Sequence, residues 1–447
     1  MRTAILGGHV IDPANRVDGK LNLVMENGKI VWAGREKPQA DRVIDASGLV
    51  VTPGFIDIHM HEDPVSGGKI RQSIFHMALS MGVTTDLGGN CGINVYDPAA
   101  YLDLVDRDGA AVNVAMMAGH EYFRKKAGAE DIYAKASDTQ LDAMQAGIEK
   151  ALRAGCAGVS FGLRYVPGAD KREFFRAAQC CRKDKKLISS HVRDDADGIF
   201  TAIAEFCEAG LQYRLPVQIS HIGSMGGFGQ MAEVLRQVDE YRLGGLDIAM
   251  DCYPYFAFST RIGTPTYDPG WLDRYHCDYG VLEFCEGKYK GQRATKETFD
   301  EVRRTDPQCI TVCYVMRQED IRLAFRHPNV MLASDGLMDN GQGHPRAAGT
   351  FPRFLAEFAG KDLTLYEAVR KMTALPAARL GLSNKGRLNV GADADITVFD
   401  PVRVKDRATF PEPTLPPEGI EYVFLGGEPA LEHGKLLRDD LGRAVRV

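Results

Sequence analysis

The chain has 447 residues, of which 45% are apolar and 26% charged, and it carries a net charge of −6 at neutral pH. These proportions are those of a globular protein and exclude a disordered or fibrous chain. The acidic balance argues against a nucleic-acid partner, because no basic excess is present to neutralise phosphates. The length favours one large domain with a smaller one beside it.

Ten cysteines are scattered along the chain, and two of them, Cys180 and Cys181, are adjacent. This usage is typical of reduced thiols in a cytoplasmic protein and not of a disulfide scaffold. The N-terminus begins without an apolar leader, and no uncharged apolar run approaches the roughly 20 residues that cross a bilayer. We therefore expect a cytoplasmic protein that acts on small molecules, without a membrane partner, and with homo-oligomer formation left open.

Both ends of the chain have the pattern of short strands separated by Gly, Pro, Asn and Asp. The predicted strands are residues 4–6, 21–25, 29–33 and 42–45 near the N-terminus, and 396–399 and 422–425 near the C-terminus. Because chain termini commonly lie close together, we expect residues 1–52 and 383–447 to form one small β-sandwich domain.

Between these ends, apolar runs rich in β-branched residues alternate with helical stretches such as residues 138–153 and 230–241. The eight predicted strands are residues 55–59, 83–87, 112–117, 157–161, 187–191, 216–221, 246–252 and 330–335. Eight buried strands that alternate with helices predict an α/β fold, a (β/α)8 TIM-like barrel, over residues 53–382. Residues 264–307 break this rhythm, and we interpret them as an insertion between strands seven and eight.

Six side chains that can bind metal follow predicted strands at their C-terminal ends, where a barrel of this type builds its active site. They are His59 and His61 after strand one, Cys91 after strand two, His191 after strand five, His221 after strand six and Asp335 after strand eight. Residues two apart in an extended segment point the same way, so both histidines of strand one can reach one ion. Any one of these residues alone would more often be a core or turn residue, but together they predict a metal site. Histidine, cysteine and aspartate in combination suit zinc.

Longer motifs resemble a known family. Residues 51–61 resemble the first-strand motif of the amidohydrolase superfamily. More specific stretches, among them Gly89-Asn90-Cys91-Gly92 and His344-Pro345-Arg346, resemble the D-aminoacylase (N-acyl-D-amino-acid deacylase) family. The resemblance spans nearly the whole chain, and it implies zinc-dependent hydrolysis of an amide C–N bond in an N-acyl-D-amino acid or a related N-acyl compound.

The resemblance also implies a role for each candidate ligand. Cys91, His191 and His221 would hold the tighter zinc, whereas His59, His61 and Asp335 would line a second, weaker position. Asp335 would take a proton from the attacking water and later pass it to the leaving amine. Many amidohydrolases bridge two metals with a strand-four lysine, which residues 157–161 lack, and a cysteine thiolate can supply the missing negative charge.

Substrate recognition depends more heavily on the resemblance, which assigns Arg346, Tyr253 and Ser259 to the substrate and Arg346 to its α-carboxylate. An arginine fork suits a planar carboxylate, although pairing of this arginine with a structural acid stays open. Relatives carry a lysine just after the strand-six histidine, where this chain has isoleucine. The loss of that charge leaves the acyl group and the D or L preference open. We expect this position and residues 119–124 to face the substrate.

Three other readings compete with deacylation. Ring opening of a cyclic amide, as in dihydroorotase- or hydantoinase-like enzymes, usually uses the strand-four lysine that is missing here. A deaminase usually carries a His-x-x-Glu acid after strand five, but here His191 is followed by Val192, Arg193 and Asp194. A metal-free scaffold is expected to have lost ligands, whereas all six positions are filled. Deacylation therefore leads, with the cyclic-amide reading second.

Overall fold

Eight parallel strands occupy the middle of the chain in the computed structural model, which describes residues 1–339 and 341–447. These central strands one to eight are Phe55–Asp57, Val83–Gly88, Asn113–Met116, Gly158–Gly162, Leu187–His191, Val217–Ile219, Ile248–Cys252 and Val330–Leu332. Strand three continues as Ala118–Gly119, and through it each central strand pairs in parallel with the next one along the chain. All eight predicted strands are therefore present, with ends that lie within three residues of the predicted ones.

The first and the last central strands also meet. The backbone N–H of Asp335 donates to the His59 carbonyl at 2.7 Å, and the N–H of His61 donates to the Gly336 carbonyl at 2.9 Å. Met60 and Gly336 form a parallel bridge between these hydrogen bonds. The contact lies just beyond the C-terminal ends of both strands, so it brings two predicted histidine ligands next to the predicted aspartate.

Helices separate the central strands, and Asp138–Arg153 shows why they form. Its N-terminus carries a capping box in which Ser137 and Gln140 satisfy each other's backbone N–H groups. Its buried apolar residues, Leu141, Met144, Ile148 and Leu152, recur every three or four positions and face the core. The other α-helices around the central strands are Ser73–Ser80, Pro98–Asp108, His120–Lys126, Lys171–Gln179, Ile199–Tyr213, Ile222–Gly226, Met231–Leu243, Gln318–Arg326, Arg346–Phe358, Leu365–Met372 and Ala374–Arg379. Among the described residues, no helix combines the length and apolar character that a membrane span requires.

Strands from both chain ends pair with each other. A four-stranded sheet has the order Lys29–Gly34, Asn22–Glu26, Thr3–Leu6 and Arg42–Asp45. A seven-stranded sheet has the order Lys435–Leu436, Glu428–Glu432, Ile420–Leu425, Ile396–Phe399, Val50–Pro53, His9–Asp12 and Val17–Lys20. Apolar side chains of both sheets, such as Ile5, Val51 and Phe424, form one buried cluster. The N- and C-terminal segments thus share a sheet and a core.

The segment between central strands seven and eight has its own antiparallel sheet. Its strands are Phe258–Arg261, Ile310–Cys313 and Leu282–Phe284, in that spatial order. Two helices, Trp271–Arg274 and Lys296–Thr305, belong to the same segment. The sheet extends beyond the predicted insertion of residues 264–307 on both sides. The strand before residue 264, Phe258–Arg261, pairs with the strand after residue 307, Ile310–Cys313. Tyr275 of this segment donates to Asp195 after central strand five at 2.5 Å, which attaches the segment to the C-terminal side of the central strands.

Candidate metal centre and substrate cavity

Four side chains from four different strand ends converge at the C-terminal edge of the central strands. His59, Cys91, His221 and Asp335 are buried, and each offers a ligand atom within 4.8 Å of those of the others. The Cys91 Sγ atom lies 3.4 Å from Nε2 of both His59 and His221, and His59 Nε2 lies 3.6 Å from Asp335 Oδ1. Ordinary Zn–S and Zn–N bond lengths in a tetrahedral site give sulfur–nitrogen separations of about 3.5 Å. These three separations are those of ligands that share an ion, and histidine, cysteine and aspartate are ordinary donors to zinc.

The backbone at three of these residues has an uncommon conformation. Cys91, His221 and Asp335 have φ angles of +53°, +31° and +49°, in the left-handed region that non-glycine residues rarely adopt. Such residues cost about 1–3 kcal/mol each and persist where surrounding structure holds them. Here the sharp turn after each strand directs the side chain toward the common centre. Three of the ten described non-glycine residues with positive φ are therefore predicted ligands.

The other two predicted ligands border this group of four. Nε2 of His61 lies 3.3 Å from Asp335 Oδ1, and the His191 ring lies 4.6 Å from the His221 ring, centroid to centroid. Both ring nitrogens of His191 are buried without a hydrogen-bond partner among the described residues. Buried polar atoms are normally satisfied, so this ring is suited to a group from outside the chain. The group of four combines members of both predicted metal positions, so the division into a tighter and a weaker position stays a prediction.

Electrostatics favour the metal-binding protonation state at Cys91 and His191, whereas His61 has to lose a proton before its ring can bind an ion. Burial alone would raise the pKa of the Cys91 thiol, but the His59 and His221 imidazoles beside it hold that pKa well below its usual value. Burial lowers the pKa of His191 to about 4, which leaves its imidazole neutral at pH 7. Burial would also lower the pKa of His61, but hydrogen bonds to Asp335 and Cys91 raise it to about 9. A thiolate and a neutral imidazole are the forms that bind a divalent ion.

Outer polar groups lie against two of the histidines. Asp251 on central strand seven accepts from the His221 backbone N–H at 2.6 Å and lies 3.3 Å from Nδ1 of His59. Its second oxygen accepts from Gln218 at 2.7 Å, and the Ser224 hydroxyl lies 2.9 Å from Nδ1 of His221. These partners leave Nε2 of each histidine facing the cluster. The sequence analysis missed them, although an acidic residue inside an otherwise apolar strand was the available signal.

The three predicted substrate residues lie around one small cavity beside the cluster. The cavity is lined by Tyr253, Ser259 and Arg346, together with Tyr165, His191, Asp195, His221, Ser224, Phe258, Thr260, Thr266, Tyr275 and Asp335. Its volume is about 20 Å³, which is room for one water molecule. Several wall residues come from the segment between strands seven and eight. This cavity volume is smaller than an N-acyl amino acid.

Arg346 is buried at the reacting end of the cavity. Its Nη2 donates to Asp335 Oδ2 at 2.9 Å, and its guanidinium carbon lies 4.7 Å from the centre of the Tyr253 ring. Burial alone would raise the pKa of Asp335, but the Arg346 guanidinium and the His221 imidazole hold it well below its usual value. The acid that pairs with Arg346 is therefore the predicted base itself and not a carboxylate elsewhere in the fold.

The expectation that residues 119–124 face the substrate is wrong for their two strongest candidates. His120 Nε2 lies 2.8 Å from Glu173 Oε1, and Arg124 Nε donates to the same oxygen at 2.9 Å. Neither side chain lines the cavity. A buried guanidinium requires a nearby acid, and the helix Lys171–Gln179 supplies it behind strand four. Ile222, the residue directly after His221, was also expected to face the substrate and does not line the cavity, whereas Ser224 in the same short helix does.

A larger cavity of about 750 Å³ opens at the opposite, N-terminal ends of the central strands. Ala157, Leu187 and Met331 are among its lining residues, and Arg379 lies at its edge. None of the six predicted metal ligands reaches it. Size alone therefore does not identify the functional cavity, because enzymes built on eight parallel strands carry their active sites at the C-terminal ends.

Comparisons with known proteins agree with this geometry. Residues 299–430 match the Amidohydrolase family. D-aminoacylase from Alcaligenes xylosoxydans xylosoxydans is 32% identical, over 99% of this chain and 96% of the relative. N-acyl-D-glutamate deacylase from the same organism is also 32% identical, over 98% of this chain and 96% of the relative. The chain belongs to the D-aminoacylase family of amidohydrolases. A dihydroorotase from Elusimicrobium minutum is 34% identical over 98% of this chain and 99% of the relative.

Solved structures of family members have the same fold. A crystal structure of D-aminoacylase superposes with a TM-score of 0.89 at 28% identity, over 99% of both chains. N-acyl-D-glutamate deacylase from Bordetella bronchiseptica, complexed with zinc and a phosphonate that mimics the tetrahedral intermediate, gives 0.88 at 29% identity, over 100% of this chain and 99% of that one. A further D-aminoacylase structure, at 28% identity, 99% coverage of both chains and a TM-score of 0.88, describes a binuclear centre with one-metal activation and second-metal attenuation. The chain therefore has the α/β fold of these metal-dependent enzymes.

Proposed function

We propose that this protein is a metal-dependent amidohydrolase that removes the acyl group from an N-acyl-D-amino acid. The observation that carries the proposal is the buried group of His59, Cys91, His221 and Asp335, whose ligand atoms all lie within 4.8 Å of one another. Relatives of similar identity over nearly the whole chain include deacylases of N-acyl-D-glutamate and N-acyl-D-aspartate as well as D-aminoacylase. The donor set includes Cys91 after strand two and no lysine on strand four, whereas many other amidohydrolases use that lysine.

We assign zinc as the metal, with one tight site and a second, weaker one. Cys91, His191 and His221 would form the tight site, and His59, His61 and Asp335 the weaker one. The donor chemistry supports this assignment, since a thiolate, neutral imidazoles and a carboxylate together suit zinc. The unpartnered ring nitrogens of His191 also support it.

Within this proposal, the ion supplies Lewis acidity that polarises the amide carbonyl and lowers the pKa of a water molecule. Asp335 accepts a proton from the attacking water and later delivers it to the nitrogen of the leaving amine, so amide and water become a carboxylic acid and an amine. Arg346 exchanges Asp335 for the substrate α-carboxylate, which frees Asp335 Oδ2 for that proton. Tyr253 packs against the guanidinium, and Ser259 contributes a hydroxyl to the wall.

Hydrolysis of a cyclic amide is the second candidate, and the dihydroorotase relative favours it. Its usual strand-four lysine is absent from Gly158–Gly162, where Ser160 instead hydrogen-bonds the loop that carries Cys91. The more distant hydantoinase structures share only the fold, at 16% identity and a TM-score of 0.64. Deacylation is therefore preferred.

We further propose that the eight central strands close into a (β/α)8 barrel spanning residues 53–382, with residues 1–52 and 383–447 as a β-sandwich. The hydrogen bonds between the ends of strands one and eight support closure. The shared sheet and core of the two chain ends support the sandwich. A cytoplasmic location is proposed on the ten cysteines, all of which are unpaired.

A substrate panel tests the proposal directly. Zinc-loaded protein is assayed with N-acetyl-D-amino acids, their L-enantiomers, dihydroorotate and a hydantoin. We expect release of free D-amino acid, abolished by removal of the metal and restored by zinc. Turnover of the cyclic amides without turnover of any N-acyl-D-amino acid would move the second candidate ahead.

A further inference from the structure

The loop that carries Cys91 is held from one side by the residue that follows the second histidine of strand one. Glu62 is buried, with 3% of its surface exposed. Its Oε2 accepts from the backbone N–H of Gly89 at 2.7 Å, and its Oε1 accepts from the N–H of Val95 at 3.0 Å and from the side-chain amide of Asn94 at 3.3 Å. One carboxylate thus binds the loop on both sides of the cysteine.

A second side chain holds the same loop from central strand four. The fully buried Ser160 hydroxyl accepts from the N–H of Gly92 at 3.0 Å and donates to the carbonyl of Gly89. Asn94 extends the contact to central strand three, because its side-chain oxygen accepts from the N–H of Gly119 at 2.7 Å. The cysteine loop is therefore attached to strands one, three and four by side chains that do not enter the metal cluster.

The conformation of the loop explains why such attachment is needed. Gly89, Cys91 and Gly92 all have positive φ angles, of +75°, +53° and +78°. Only the two glycines adopt that region without cost, whereas the cysteine in it is strained. A Cβ at Gly89 would lie 2.4 Å from the carbonyl oxygen of Met117, so the loop also packs closely against strand three. A loop without its partners would relax, and the thiolate would leave its place near His59 and His221.

We infer that Glu62 is a positioning residue for the metal centre: its carboxylate, with the Ser160 hydroxyl opposite, fixes the Cys91 loop so that the thiolate reaches the ion. The inference rests on the proposed metal site. A metal ligand must lie within a few tenths of an ångström of its ideal distance, and outer-shell partners commonly affect metal affinity by about 10–100-fold. Glu62 follows the predicted ligand His61 directly in the sequence, but its carboxylate hydrogen-bonds Gly89, Asn94 and Val95 and no predicted ligand, so the effect of the side chain on the thiolate passes through the loop.

The neighbouring residue offers a matched control. Asp63 is equally buried and also accepts three hydrogen bonds, from the Ser73 hydroxyl at 2.6 Å and from the N–H groups of Ile74 and Phe75 at 2.9 and 3.0 Å. These bonds hold the N-terminus of the helix Ser73–Ser80 and not the cysteine loop. Asp63→Asn therefore measures what the loss of a buried carboxylate does to the fold alone.

The test uses Co²⁺ titration of the metal-stripped full-length protein, followed by the near-ultraviolet charge-transfer absorption of thiolate-bound cobalt. We expect Glu62→Gln to weaken cobalt affinity by about 10–100-fold and to reduce that absorption. The glutamine side chain has one oxygen that accepts hydrogen bonds, whereas both carboxylate oxygens of Glu62 accept from the loop. Ser160→Ala should change both readouts in the same direction. Asp63→Asn should lower the melting temperature and leave both readouts close to wild type.

Cobalt affinity and absorption that stay at the wild-type level in Glu62→Gln would overturn the inference. An equal loss in Asp63→Asn would overturn it too, since the effect would then be one of general stability. If Glu62→Gln fails to fold, Ser160→Ala decides by the same criteria. The failure of the proposed function has a different signature: the wild type itself would show no thiolate absorption, or would keep it after Cys91→Ser.

Discussion

The role of Arg346 is the part of the account that a single mutant cannot isolate. In the structure the guanidinium donates to Asp335 Oδ2 at 2.9 Å, and its Nε is buried without a partner among the described residues. Arg346→Ala therefore removes two things, a binding group for the substrate carboxylate and the counter-charge of the predicted base. The first depends on the substrate and the second does not. A substrate whose α-carboxylate has been amidated separates them, because it offers no anion to the arginine.

The expected magnitude follows from the contacts. A hydrogen bond to a charged group contributes about 1.5–3 kcal/mol, which is roughly 10–150-fold in kcat/KM. We expect Arg346→Ala to lower kcat/KM for the free-acid substrate by that factor more than for the amidated one. Arg346→Lys serves as the control, since it keeps the charge and loses the planar fork, and it should recover only part of the difference. An equal loss for both substrates would mean that Arg346 acts only on Asp335, and the cyclic-amide reading would move ahead.

Two further substitutions separate chemistry from structure. Asp335→Asn removes the proton acceptor with little change of shape, so turnover should fall by about 10²–10⁴-fold while the zinc content of the tight site persists; near-normal turnover would place the base elsewhere. Glu173→Gln leaves the buried Arg124 without a counter-charge, so the free energy of unfolding in urea should fall by about 3–5 kcal/mol. The kcat/KM of the folded fraction should stay near wild type, and a large loss there would mean that His120 and Arg124 contribute to the site after all.

The convergence of His59, Cys91, His221 and Asp335 was predictable because it depends on local patterns. Each predicted ligand lies at the end of an apolar strand or within four residues of it, and the C-terminal ends of parallel strands meet at one edge, so His59, Cys91 and Asp335 were expected to converge. The backbone contact between the ends of strands one and eight shows how this happens. This convergence could be predicted without knowing which residues distant in sequence contact the ligands.

The outer hydrogen bonds were not predictable in the same way. Asp251 binds the His221 N–H thirty positions away in sequence, and Glu62 binds Gly89 across twenty-seven. Nothing local distinguishes Glu62 from other acids in the chain, and the place of Asp251 in an otherwise apolar strand does not show which residue it binds. The error over His120 has a related cause, since a motif shows that a residue is present without showing which face of its helix turns toward the cavity. Glu173, its actual partner, lies fifty-three residues away.

Zinc content and turnover measured together on wild type and Cys91→Ser test the central claim most directly. A serine hydroxyl does not supply the charge of a thiolate at neutral pH, so the variant should lose most bound zinc and most hydrolysis of N-acetyl-D-amino acids. Its circular dichroism and melting curve should still report a folded protein, because the apolar core is built without Cys91. Full zinc occupancy and full turnover in folded Cys91→Ser would contradict the account.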